Sequence, residues 1–147
     1  MRFIFTVLLT CFLSLNVQAE DTPIKTKTVD YRSDGTTLQG YLAQPADKKK
    51  RMRAAVLIVH DWMGPSAFTK KKADQLANEG YIAFAVDVYG KDVRPKNTDQ
   101  AKETSAKYFN DRELYRKRMR AAYDTLIKMG AVNAKKVVVM GYCFGGK

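Results

Sequence analysis

Directly after the apolar run 137–140, the sequence reads Gly141-Tyr142-Cys143-Phe144-Gly145-Gly146-Lys147. A cysteine with glycine two positions to either side suits a nucleophile carried on a strained strand-to-helix turn, where its side chain projects above the sheet. The strand and helix backbones approach closely there, and glycine avoids the clash a Cβ would cause. A helix starting at this point aims its N-terminus at the sulfur and favours the thiolate. The N–H of Phe144 faces the same place and can hold a developing oxyanion. A tight βα turn around a buried, inert thiol satisfies the same pattern, so the spacing alone leaves both readings open.

A phosphate-cradling loop is a further alternative, because Gly141, Gly146 and Lys147 also fit G-x-x-x-x-G-K. Three features count against it. The turn follows two other apolar strands, bulky Tyr142 and Phe144 occupy it, and an exported protein meets little nucleoside triphosphate.

The elements that must position Cys143 follow from hydrophobic patterning. Residues 24–32 alternate as an edge strand does, Ser33-Asp34-Gly35 is a turn signal, and 36–43 alternate again up to Pro45, which together predict a β-hairpin. A hydrophilic connector, 46–53, carries five basic residues. The runs 54–59, 81–88 and 137–140 are apolar without alternation, as in strands covered on both faces. Helices are expected from a Ser66 cap to Asn78, over 98–109, and over 111–129, with Gly80 and Gly130 as stops. The first should bury Phe68, Ala73, Leu76 and Ala77, and the last Leu114, Met119, Ala122, Leu126 and Met129. Strands alternating with helices imply an α/β fold built on a mostly parallel sheet.

At 147 residues, 46% hydrophobic and 11% aromatic, the chain has room for about one domain with a single core. That argues against a multi-domain enzyme, a multi-span membrane protein or a repeat array. Met1-Arg2, the apolar run 3–15 and the small residues Val17 and Ala19 have the layout of a secretory signal cut after Ala19. The run is short for a bilayer span, and Thr10 is a poor neighbour for a lipidated Cys11. Removing those 19 residues, with Arg2 and Cys11 among them, takes 147 residues and +11 to 128 residues and +10, with Cys143 the remaining thiol. Export to a bacterial periplasm is expected. The basic surplus lies mainly in 48–53, 70–72 and 112–120, a connector and two helices with solvated faces. No nucleic-acid module accompanies it.

In an α/β-hydrolase the second oxyanion donor comes from the loop after the third strand. With the hairpin counted as two strands, that loop is His60-Asp61-Trp62-Met63-Gly64-Pro65. This loop, the strand end Val86-Asp87-Val88-Tyr89-Gly90 and the Cys143 turn come in an order and spacing that resemble the dienelactone hydrolase family, over about residues 38–147. The family consists of cysteine hydrolases of the α/β-hydrolase fold with a Cys-Asp-His triad. The resemblance implies Cys143 as nucleophile and the amides of Trp62 and Phe144 as the oxyanion hole. Asp61 falls where the family has a thiol-interacting glutamate, one methylene longer; a loop-capping role suits it equally. His60 precedes that position, whereas the family's base follows the nucleophile, so His60 reads as a packing or hydrogen-bonding residue, and Asp87 as structural.

No metal or organic cofactor is implied, and the implied partner is a small-molecule ester or lactone. No aspartate or histidine follows Cys143 in this sequence. The resemblance places the triad Asp, the triad His and the remaining strands in a further stretch. The 147-residue polypeptide by itself is therefore expected to be catalytically incompetent and marginally folded, with strand 137–140 left as an exposed edge. A non-catalytic remnant or interaction protein of the same fold is the alternative, ahead of a phosphate-loop nucleotide-binding protein or a basic nucleic-acid- or membrane-binding protein.

Overall fold

Asp34 and Gly35 both take positive φ, 47° and 75°, the conformation whose twist matches that of two paired strands. They join β1 (Ile24–Ser33) to β2 (Thr36–Pro45) in an antiparallel hairpin. The computed structural model describes residues 23–47, 51–129 and 131–146. The expected signal segment 1–19, Cys11, lysines 48–50, Gly130 and Lys147 lie outside the described residues.

Three further strands, β3 (Arg53–Val59), β4 (Ile82–Val86) and β5 (Val132–Gly141), complete a sheet ordered β1-β2-β4-β3-β5. β4 pairs in parallel with β3, and β3 with β5, whereas β2 joins β4 antiparallel. The three apolar strands thus form the parallel half of a mixed sheet, and the hairpin extends it.

The missing alternation in β3 and β4 has a simple cause, since both faces are covered. On one face, α1 (Ala67–Asn78) lays Ala73 and Ala77 against Ala43, Val56, Ile58, Ala83 and Ala85. Small residues on both sides let that helix sit close. On the other face, α2 (Thr98–Asn110) and α3 (Arg112–Lys128) cover the larger Leu38, Leu42, Leu57, Val59, Phe84 and Val86 with Tyr108, Ala122 and Leu126. Burying a side chain such as Leu57 contributes about 1.5–3 kcal/mol relative to leaving it exposed.

The helix boundaries follow their caps. Gly80 at φ +94° ends α1, with Gly80 N–H on Ala77 C=O and Tyr81 N–H on Leu76 C=O, the paired bonds of a Schellman end. Asn97 and Asp111 accept N–H groups from Gln100 and Leu114 at the starts of α2 and α3.

Several expectations are corrected. Phe68 is 48% exposed. The α1 stripe instead takes in Thr69, whose hydroxyl accepts from Ser66 N–H and donates to Ser66 C=O, so it closes the helix start from inside. The basic segment 112–120 is not wholly solvated. Arg118 is buried, donating to Ser33 C=O at 2.5 Å and to Thr36 Oγ1 at 2.9 Å, which ties α3 to the hairpin turn. β5 is not covered on both faces. Its place at the sheet edge among the described residues is the expected one, but Val138 and Val139, neighbours that point to opposite faces, are 59% and 60% exposed.

Candidate active site

β5 delivers Cys143 at the C-terminal end of the parallel strands, where open α/β sheets gather their ligands. Cys143 has φ +50° and an exposed side chain. The left-handed region costs an L-residue about 1–2 kcal/mol. Such strain persists only where the surroundings impose it, and two glycines show how they do. A Cβ on Gly141 would run into the carbonyl of Gly145, and one on Gly145 would lie 2.6 Å from Val59 Cβ and 2.9 Å from His60 O. The turn is closed by Gly145 N–H on Tyr142 C=O at 2.9 Å, and Tyr142 N–H on Val59 C=O seats it against the end of β3. The sequence expects a helix after Cys143; the described residues continue as a short 3₁₀ turn, Cys143–Gly146.

That close approach brings the turn against loop 60–65, which leaves the same end of β3. His60 is fully buried, its ring stacked on Phe144 with centroids 5.6 Å apart and edge-on to Tyr89 at 4.6 Å. Its Nδ1 lies 2.6 Å from the Asp61 carbonyl, and Val88 N–H donates to its Nε2 at 3.3 Å. A carbonyl only accepts and an amide N–H only donates, so the imidazole is neutral with its proton on Nδ1. Burial also holds its pKa below the ordinary value. With both nitrogens engaged inside the core, His60 is not placed as a base for Cys143.

Asp61 accepts Met63 N–H on Oδ1 at 2.8 Å, a capping bond that rounds the loop. Trp62 is held by its carbonyl, which accepts the Tyr89 hydroxyl at 2.9 Å. Burial raises the Tyr89 pKa, followed by the influence of Tyr108, Asp61 and Cys143, so the phenol stays a donor and shares a neighbourhood with the last two. Among the described residues, neither the Trp62 nor the Phe144 main-chain N–H has a hydrogen-bond partner. Both remain free to donate.

Asp87 anchors the far side. It is fully buried, and its Oδ1 accepts Tyr89 and Gly90 N–H at 3.0 Å each. Its Oδ2 accepts Gln39 N–H and pairs with Arg94, both at 3.1 Å. Tyr31 bonds its main chain on both sides, as donor to Asp87 C=O and acceptor from Asp87 N–H. A carboxylate so fully occupied organises a loop and is not poised for proton transfer.

The arrangement thus presents an exposed thiol on a strained turn, a main-chain N–H without a partner on the next residue and another in the loop packed against that turn, and buried aromatic residues behind that loop. The roles of Tyr89 and Tyr108, whose hydroxyl donates to Tyr89 C=O at 3.0 Å, carry no signal in the sequence, because an apolar-looking tyrosine reads as core. Among the described residues no three His, Cys, Asp or Glu side chains converge as metal ligands would.

This fold and turn are those of an α/β-hydrolase. The family model of the dienelactone hydrolase family matches residues 38–147, and the chain belongs to that family. It is 32% identical over 122 residues to "Putative carboxymethylenebutenolidase" of Aquifex aeolicus, which covers 80% of this chain and 51% of that protein. Among solved structures, m3DLH superposes with a TM-score of 0.79 at 28% identity, covering 84% of this chain and 51% of the other. The dienelactone hydrolase-like promiscuous phosphotriesterase P91 from metagenomic libraries gives 0.78 at 30% identity, with the same coverage of 84% and 51%. The chain spans about half the length of these relatives.

Proposed function

We propose that this chain carries the nucleophile half of an exported cysteine hydrolase acting on lactones or small carboxylic esters. The observation that carries the reading is Cys143 itself, exposed at φ +50° between two glycines that admit no Cβ. The names of two relatives, "Putative carboxymethylenebutenolidase" of Aquifex aeolicus and "Probable 2-oxo-3-(5-oxofuran-2-ylidene)propanoate lactonase" of Bradyrhizobium sp, support the substrate class.

In this mechanism the Cys143 thiolate attacks the carbonyl carbon, a C–S bond forms, and the carbonyl π pair moves onto oxygen. The N–H groups of Trp62 and Phe144 hold that oxyanion. Its collapse expels the alkoxide, which takes up a proton, and water then hydrolyses the thioester. The proton carrier is an imidazole from outside residues 20–147, since His60, the one histidine, is engaged at both nitrogens. Asp61 shapes the loop beside the sulfur. Residues 20–147 accept an acyl group but do not turn over by themselves, and residues 1–19 direct export to the periplasm with cleavage after Ala19.

Added imidazole tests the reading, because it replaces a missing base in trans. Against a panel of aryl esters and five-membered lactones, the purified chain should show no turnover by itself, should with imidazole exceed the rate of imidazole alone, and should lose that excess in Cys143→Ala. No excess over imidazole alone, or an excess that survives Cys143→Ala, would leave a non-catalytic member of the fold as the better description. N-terminal sequencing of the exported protein should begin at Glu20.

A further inference from the structure

A buried histidine with both nitrogens committed is neither a base nor an ordinary packing residue, and the peptide it grips suggests what it is for. The Nδ1–H of His60 donates to the carbonyl of Asp61 at 2.6 Å. That carbonyl belongs to the same peptide unit as the N–H of Trp62. In a planar trans peptide the C=O and N–H point in opposite directions. Drawing the Asp61 carbonyl toward the buried ring therefore turns the Trp62 N–H away from it, on the side where it has no partner among the described residues.

The ring that does this is itself fixed. Val88 N–H donates to Nε2 at 3.3 Å, which selects the tautomer with the proton on Nδ1. Phe144 stacks on the ring with an interplanar angle of 7°, so one imidazole touches the residue next to Cys143 and holds the peptide of the other free donor. The following peptide is fixed as well, because its carbonyl accepts the Tyr89 hydroxyl and its N–H, that of Met63, donates to Asp61.

Resting on the reading of Cys143 as an acyl-accepting nucleophile, we infer that His60 is a positioning residue: its Nδ1–H orients the Asp61–Trp62 peptide so that the Trp62 N–H is aimed as an oxyanion donor. The inference requires that His60 matter for attack on a carbonyl and not for thiol reactivity in general. Attack on an ester builds negative charge on oxygen, whereas alkylation by iodoacetamide displaces iodide from carbon and builds none that an oxyanion hole could hold.

The experiment is the ratio of two rates at Cys143, acylation by p-nitrophenyl acetate and alkylation by iodoacetamide, each followed by mass spectrometry. His60→Leu and His60→Phe lack the donor, and the phenylalanine keeps a ring against Phe144. His60→Gln keeps an N–H for the Asp61 carbonyl and a carbonyl for Val88 N–H. In the first two the acylation-to-alkylation ratio should fall about 10- to 100-fold, the scale of a lost or misaimed oxyanion donor. In His60→Gln it should stay near the wild-type ratio. An unchanged ratio in whichever donorless variant folds overturns the inference, because the ring then only packs. A fall in His60→Gln as deep as in the others overturns it too, because the imidazole itself then does the chemistry. If the wild-type chain acylates no faster than the denatured chain, the nucleophile reading fails first, before any variant is compared.

Discussion

Replacing Cys143 by glycine should make the protein more stable, and replacing it by alanine should not. At an ordinary loop position the order is the reverse, since glycine adds conformational freedom to the unfolded chain and costs about 0.4–1 kcal/mol relative to alanine. Position 143 is not ordinary. Its φ of +50° brings a Cβ against the following carbonyl, at about 1–2 kcal/mol for any L-residue with a side chain. The thiol is exposed, so neither variant forfeits much packing. Taking the opposing contributions together, Cys143→Gly should exceed Cys143→Ala by about 0.5–1 kcal/mol. In a domain of this size that is about 2–5 °C in Tm. Urea unfolding followed by circular dichroism reads the difference as a shift in midpoint at constant slope. Cys143→Ala equal to or more stable than Cys143→Gly would refute a turn that stores strain at the nucleophile position.

Other consequences follow from the same contacts. Gly145→Ala places a methyl 2.6 Å from Val59 Cβ and 2.9 Å from the His60 carbonyl, and overpacking of that kind should destabilise by about 1–3 kcal/mol in chemical denaturation. Asp87→Ala strands three N–H groups, two of them buried, and uncouples Arg94, so a loss of about 3–5 kcal/mol is expected, with Asp87→Asn milder because one acceptor oxygen remains. The pH dependence of stability should carry the mark of His60. Its folded pKa lies below the ordinary 6.5, so the unfolded chain binds a proton that the native protein refuses. Stability is then unaffected above pH 6.5 and falls as pH drops through that value, by up to about 1.4 kcal/mol per unit, until the folded pKa is reached. Parallel denaturation curves for wild type and His60→Gln isolate this slope; identical curves from neutral pH downward would show that the imidazole ionises freely.

What could be read from the sequence was whatever local chemistry determines. The apolar runs of β3 and β4, the Asp34-Gly35 turn, the Gly80 stop and the glycines around Cys143 each follow from a backbone or burial requirement of a few neighbouring residues. The three segments that carry the family resemblance are of this kind. What escaped depends on distant partners. Whether Phe68 or Thr69 faces the sheet is a rotation of one position about the α1 axis, settled by how closely the helix can approach an alanine-lined face. The run 137–140 looks like 54–59, and its edge position is the expected one, yet the run itself does not say that both its faces stay open. Arg118 sits in a basic segment whose natural reading is a solvated face, and only the hairpin turn 85 residues away along the chain supplies its acceptors. The scaffold under the candidate site escaped for the same reason. Asp87 reads as structural from the sequence, but its partners Tyr31, Gln39 and Arg94 and the Tyr108 bond to the Tyr89 carbonyl come from other elements, and no spacing rule encodes them.

The central claim, that Cys143 accepts an acyl group, is tested most directly by treating the folded chain with a substoichiometric activated ester and mapping the product by peptide mass spectrometry. The account predicts a single acyl group on Cys143, formed faster than on the denatured chain and absent in Cys143→Ala. Acylation spread over the surface lysines, or a Cys143 no more reactive folded than unfolded, would contradict it.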